Sequence, residues 1–325
     1  MSEEYGVESV DIAVKSSDQS ALRRPLGLGP RIVAVGGGKG GIGKSIIVAN
    51  MGMILAGRGR KVVLVDADLG GANLHTCLGI EPPERTLGDF VERRVTSLEN
   101  CIQTVDGVSI GLISGARDSL NAAHPKFHQK LRLLQHLRRL DADLVLLDLG
   151  AGTSFNTIDF FIHADESLAV ALPEPGAIEN LYRFLKTAFY RSLKRATADD
   201  DIARLIDMAM EQRPGRPIPT PADLLNEVAK TDKERSQQLL LRMQQFKPRI
   251  LLNRTRNFSD VELGYAIQKA CYHYFGTGFD FAGFLSDAAE VSESTKRRYS
   301  VTASHPHSQF IRQLKAICFR LFTDA

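Results

Sequence analysis

The stretch GGGKGGIGKSII, residues 36–47, constrains the fold of this chain more than any other feature. It lies between the apolar run RIVAV at 31–35 and a helical segment that opens near Lys44. A strand, a glycine-rich loop and a helix form the context in which G-x-x-x-x-G-K-[ST] becomes a phosphate cradle. Gly38, Gly43, Lys44 and Ser45 satisfy that pattern in full. Glycines let successive backbone N–H groups turn toward phosphate oxygens, and the helix N-terminus adds its dipole. Lys44 is then placed to bridge the β- and γ-phosphates, and the Ser45 hydroxyl to hold Mg²⁺. The loop from Gly38 through Lys39, Gly40, Gly41, Ile42 and Gly43 to Lys44, Ser45 and Ile46 is the expected nucleotide contact. Lys39, at the loop's second position, has no part in the ordinary pattern.

The remainder of the chain repeats the strand–helix theme. RIVAV, KVVLVDAD, VSIGLIS, DLVLLDLG, ESLAVALP, PRILLNRT and FDFAGFL are short, near-continuous apolar runs. That is how a parallel strand buried on both faces reads. Helical segments such as KSIIVANMGMILAGRG and FHQKLRLLQHLRRL fall between them. The order predicts an α/β protein with a doubly wound, mostly parallel sheet flanked by helices, its site at the carboxyl ends of the strands. Residues 1–30 read as a flexible polar arm, and 31–325 as a single domain. A charged stretch from about 195 to 246 breaks the rhythm and reads as an inserted helical hairpin, a lobe added to a complete sheet. Its apolar stripes are Ile202, Leu205, Ile206 and Met210, then Leu224, Leu225, Val228 and Leu239 to Leu241.

Two acidic sites accompany the loop. In LVDADLGGANL, Asp66 and Asp68 close the second strand, within reach of the phosphate end; in other contexts a D-x-D there caps the next helix. In DLVLLDLGAG, Asp148 ends a hydrophobic strand as a Walker B carboxylate does, placed to hold Mg²⁺.

Taken together, K-G-G-x-x-K-[ST] at Lys39 to Ser45, D-x-D at Asp66 and Asp68, D-L-G-A-G at Asp148 to Gly152 and N-R at Asn253 and Arg254 resemble the MinD/ParA family of deviant Walker A ATPases. Within it, DADLGGANL, GAGTS and LPEPGAIENLYRFLK are most similar to the FlhG, flagellar-number subgroup. The resemblance implies a Mg²⁺-dependent ATP hydrolase acting as a switch: ATP drives homodimerisation and docking, and slow hydrolysis releases it. It also implies a role for Lys39, which crosses the dimer interface to contact the facing subunit's phosphates. By the same resemblance Asp68 positions the attacking water and Asn253, with Arg254, serves the adenine. Two positions depart from the pattern: Ile46 stands where relatives place a hydroxyl, and FLSDAAE at Phe284 lacks the proline of the base-covering loop.

Partners are read from weaker signals. DQSALRR at Asp18 is one residue short of the DQAxxLR element by which FlhG proteins stimulate the GTPase FlhF. HSQFIRQLKAICFRLFTDA carries an apolar stripe and the cations Arg312, Lys315 and Arg320, which suit a core helix or, alternatively, peripheral contact with the inner membrane. Net charge is only +3, so DNA is the lesser partner, although a ParA-type partition ATPase binding DNA nonspecifically stays the alternative function. Four separated cysteines without a CxxC and an N-terminus without a signal-peptide core read as cytoplasmic and argue against an iron–sulfur carrier on the same fold. The pairs His124/His128 and His305/His307 lack further ligands at metal spacing, Lys296 to Arg298 reads as a solvated run, and the aromatics of YRFLKTAFY read as helix packing.

Overall fold

The computed structural model describes residues 29–68, 71–105, 107–115, 127–197, 199–211 and 218–322. The polar arm, including DQSALRR, and His124 lie outside those residues. Among the described residues, eight strands form one sheet: β1 (Arg31–Gly36), β2 (Val62–Asp66), β3 (Gln103–Thr104), β4 (Ile110–Ile113), β5 (Leu144–Asp148), β6 (Glu166–Ala171), β7 (Arg249–Thr255) and β8 (Asp280–Ser286). Their order is β3-β4-β2-β5-β1-β6-β7-β8, parallel except for the short antiparallel edge strand β3. All seven apolar runs form strands. β1 sits between β5 and β6 while the chain leaves it for β2, so the winding reverses there and opens a crevice at the strand ends.

Residues alternate faces along each strand. Val33, Val35, Leu64 and Leu146 pack with α1 (Lys44–Ala56) and with α13 (Gln309–Phe322). Ile32, Ala34, Val63 and Val145 face α4 (Phe127–Leu137), α5 (Phe155–His163), α6 (Pro175–Ala196) and α10 (Phe258–Phe275). The stripe of α13, Phe310, Ile311, Leu314, Ile317, Cys318, Leu321 and Phe322, is buried throughout, so these side chains serve the core and not a lipid surface. No helix among the described residues is long and apolar enough to cross a membrane. In α6, Phe184, Phe189 and Tyr190 are buried packing residues.

The region 195–246 differs from the expected hairpin. Its described residues hold three helices, α7 (Asp200–Glu211), α8 (Pro221–Thr231) and α9 (Lys233–Gln245). The second apolar segment breaks at Asp232, whose carboxylate accepts from Glu234 N (2.9 Å) and Arg235 N (3.0 Å) and so starts a new helix. The region contributes no strand, yet Ile202, Ile206, Leu224, Val228, Leu239 and Met243 are buried in the same cluster as α6 and the sheet. Met210, Leu240 and Leu241 instead reach solvent.

Candidate functional site

The strand register brings the acidic ends together: Val35 and Asp66 each pair with Asp148 in the sheet. The glycine loop rises from β1 into the crevice beside them and is closed in from three sides. At Gly38 a Cβ would stand 2.1 Å from the Asn180 carbonyl oxygen, so α6 backs directly onto the loop. Gly43 adopts φ 91°, in the left-handed region, and caps α1; a Cβ there would fall 2.4 Å from Asn253 Nδ2. On the third side Gly152 N donates to Gly37 O at 3.2 Å, joining the loop to the D-L-G-A-G turn.

Two lysines of this one loop occupy opposite environments. Lys44 is 8% exposed and its Nζ lies 3.5 Å from the Lys39 carbonyl oxygen. Burial lowers its pKa, while the carboxylates of Asp148 and Asp68 pull it back up. The Lys39 side chain is exposed to solvent. Gly40 and Gly41 are exposed beside it, Ile42 is buried, and Ser45 and Ile46 are half-buried at the start of α1.

The three aspartates divide the work. Asp66, fully buried, accepts from Leu74 N at 2.9 Å and Asp68 N at 3.2 Å. It therefore fixes the start of α2 (Leu74–Leu78) and the backbone of Asp68. Burial pushes its carboxyl up to about 6, against those hydrogen bonds. Asp68 is half-buried with its carboxyl against Gly150, where a Cβ would lie 3.2 Å from Asp68 Cγ. Asp148 is pushed up to about 8, first by burial and then by Asp66, with the Ser45 hydroxyl and Lys44 opposing.

Asp148 Oδ1 is buried with no hydrogen-bond partner among the described residues. An orphaned carboxylate oxygen and a hydroxyl bonded to the same carboxylate are hard-oxygen donors that fit Mg²⁺. No group of three or more His, Cys, Asp or Glu among the described residues forms a protein-only metal cage. Mg²⁺ takes one or two protein ligands and completes its shell with water and phosphate oxygens.

Asn253 is buried at the end of β7, and its Nδ2 donates to Ile42 O at 2.8 Å. Its Oδ1 accepts from Arg254 N at 3.0 Å, and Arg254 itself is exposed with φ 57°. Of the two predicted base-side residues, Asn253 thus stands against the phosphate loop, while Arg254 points to solvent. Sequence reasoning missed α6, whose backbone shapes Gly38; LPEPGAIEN marks that segment as distinctive but not as a wall of the loop. The remaining singled-out features settle elsewhere: Arg297 pairs with Glu293 one turn back on α11 (Ala289–Lys296), and His305 meets Ser294 and Ser304 hydroxyls.

Comparison with known proteins agrees with this geometry. A family model, ParA, described as NUBPL iron-transfer P-loop NTPase, matches residues 30–192. Antiactivator FleN of Pseudomonas aeruginosa is 34% identical over 158 residues, 48% of this chain and 55% of FleN. Flagellum site-determining protein YlxH of Helicobacter pylori is 28% identical over 195 residues, 57% of this chain and 60% of YlxH. The chain thus spans little more than half the length of these curated relatives. In structure, the septum site-determining protein MinD of Pyrococcus horikoshii, complexed with Mg-ADP, superposes with a TM-score of 0.60 at 19% identity, over 90% of this chain and 96% of that one. At that identity the likeness shows the fold alone.

Proposed function

We propose, for a chain that belongs to the ParA family of P-loop NTPases, an ATP-driven dimerisation switch whose hydrolysis is a timer and not its output. The observation that carries this reading is the split between the loop's lysines, Lys44 buried opposite Asp148 and Asp68 and Lys39 exposed on the outer surface. A loop that only held nucleotide needs Lys44 alone. An exposed second lysine beside the phosphates is suited to a second copy's site, where it neutralises charge developing on the transferred phosphoryl group.

In this reading each residue has a task. Loop N–H groups and Lys44 hold the β- and γ-phosphates, and Ser45 with Asp148 holds magnesium. The ion supplies charge neutralisation on the phosphate oxygens when bound. Asp68, held in place by Asp66, orients the attacking water and accepts its proton. The Gly150–Gly152 turn, bonded to the loop through Gly37, follows departure of the phosphate. Asn253 serves the adenine while holding the Ile42 carbonyl. Burial pushes the thiols of Cys77, Cys271 and Cys318 up to about 12 and that of Cys101 up to about 11.

YlxH is named as a flagellum site-determining protein and FleN as an antiactivator. The output assigned to this chain is accordingly control of the number or placement of a cellular assembly, flagella being the leading case. An FlhF-like GTPase is the contact proposed for the ATP-bound dimer. Sizing with light scattering tests the switch. Wild type shifts from monomer to dimer with MgATP; Lys44→Ala neither binds ATP nor shifts; Lys39→Ala binds ATP and stays monomeric. A Lys39→Ala protein that dimerises and turns over as wild type does overturns the reading.

A further inference from the structure

Helix α10 covers β7 and the edge strand β8, and its outer side is unusual. Phe258, Tyr265 and Tyr272 are exposed by 75%, 61% and 59%. They recur every seven residues, so they drift only about 20° per step and share one face. No other element among the described residues exposes more than two large apolar or aromatic side chains. The buried side of the same helix, Gly264, Ile267, Cys271 and Phe275, lies opposite. Tyr265 is held upright by an edge-on contact with Phe281 of β8, ring centroids 5.0 Å apart. Gly264 admits Phe281 beneath the helix, where a Cβ would fall 2.3 Å from its ring. The stripe is therefore supported from below.

Charges on the stripe name its occupant. Glu262 and Lys269 are exposed between the aromatics, and among the described residues neither takes part in an ion pair. They lie about equally far on either side of Tyr265–Ala266, with opposite signs. A second α10 laid antiparallel, with a two-fold axis at that midpoint, brings Glu262 of each copy to Lys269 of the other. The same operation brings Phe258 of each copy within about one residue of the level of Tyr272 of the other. Such self-complementarity is what an isologous two-fold contact requires. A parallel pairing would instead place like charges together.

We infer that the outer face of α10 is a self-association surface that binds a second copy of this chain, separately from the nucleotide face. It lies on the β7–β8 flank, and β8 is three strands away from β1, the strand that carries the phosphate loop. One helix pair is at the small end of specific interfaces, below about 1,200 Å² in total, so the association is weak and concentration-dependent. Joined to the ATP-driven contact, it links dimers into higher assemblies.

Sedimentation velocity of the nucleotide-free full chain over a concentration series tests the inference without reference to ATP. Wild type shows a rising sedimentation coefficient with concentration. Glu262→Lys and Lys269→Glu, each placing like charges face to face, lose that rise, as does Tyr265→Ala. An equimolar mixture of Glu262→Lys with Lys269→Glu regains it, because every cross-pair is again opposite in sign; misfolded variants would not recover on mixing. A wild type that stays monomeric throughout, with the face left to some other protein, overturns the inference. Charge variants that associate as wild type does, or a mixture that fails to recover, overturn it equally.

Discussion

Asp148 and Asp159 are both almost completely buried aspartates, at 3% and 1% exposure, and the protein treats them in opposite ways. Asp159, on α5, accepts from Lys130 Nζ at 2.5 Å, Arg191 Nε at 2.5 Å and Arg191 Nη2 at 2.9 Å, with Arg195 at 3.6 Å. Burial alone would raise its pKa, yet the Arg191 and Lys130 contacts hold it below the usual carboxylate value. At the crevice the balance reverses: Asp148 is raised to about 8, one oxygen has no partner, and the nearest cation, Lys44, is itself lowered by burial. A saturated buried charge fastens α4, α5 and α6 together. An unsaturated buried carboxyl, held protonated until a cation arrives, marks the place where cation and nucleotide bind.

Breaking each region distinguishes the two. Asp159→Asn leaves Lys130 and Arg191 buried without their counter-charge and should destabilise the fold by about 3–5 kcal/mol, measured by urea unfolding. Nucleotide binding by the folded fraction should be unchanged. A loss below about 1 kcal/mol would show the cluster to be solvent-relaxed and no different from a surface pair.

Asp148→Asn should act in the other direction. The native Asp148 keeps its proton up to about 8, whereas the unfolded carboxyl releases it near 3.8. Between those values the folded state binds the extra proton, so stability of the nucleotide-free protein falls as pH rises, by at most about 1.4 kcal/mol per pH unit per proton. Asp66 adds to the same slope up to about 6. Thermal unfolding from pH 5 to 8 should show the slope in wild type and a flatter profile in Asp148→Asn. A wild type more stable at pH 8 than at pH 5 would remove the contrast.

The mildest change is Arg195→Ala. At 3.6 Å from Asp159 and partly exposed, this arginine should contribute less than about 1 kcal/mol, read from the same urea curves. A loss matching that of Asp159→Asn would mean the cluster depends on the outer cation as much as on Lys130 and Arg191.

The crevice was far more legible in the sequence than the Asp159 cluster. Glycine loop, D-x-D and the terminal aspartate of VLLD are local patterns, and strands buried on both faces declare themselves by continuous apolarity. Asp159 sits in FNTIDFFIH, where nothing local predicts partners 29 and 32 residues away. The same limit hid Asn180 behind Gly38, because close backbone approach between distant segments leaves only a glycine as its trace. β3 is two residues long and carries no periodicity to read. The break at Asp232 was missed for another reason: two helices consecutive in sequence each carry an apolar stripe, and only the capping carboxylate marks where one ends and the other folds back along it. For Asn253 the motif identified the residue but not its bond to Ile42.

The central claim is that Lys39 works across a dimer interface while Asp68 works within its own subunit. Mixing Lys39→Ala with Asp68→Ala protein tests that division directly. Each variant alone should hydrolyse ATP roughly 10²–10⁴-fold more slowly than wild type. In a mixed dimer the Lys39→Ala copy keeps its own Asp68 and receives Lys39 from the other subunit, so one complete site forms. The account predicts that steady-state phosphate release reappears on mixing and scales with the fraction of mixed dimers. If both variants bind ATP and mixed dimers form, yet the mixture releases no more phosphate than its components, Lys39 does not act in trans and the account is contradicted.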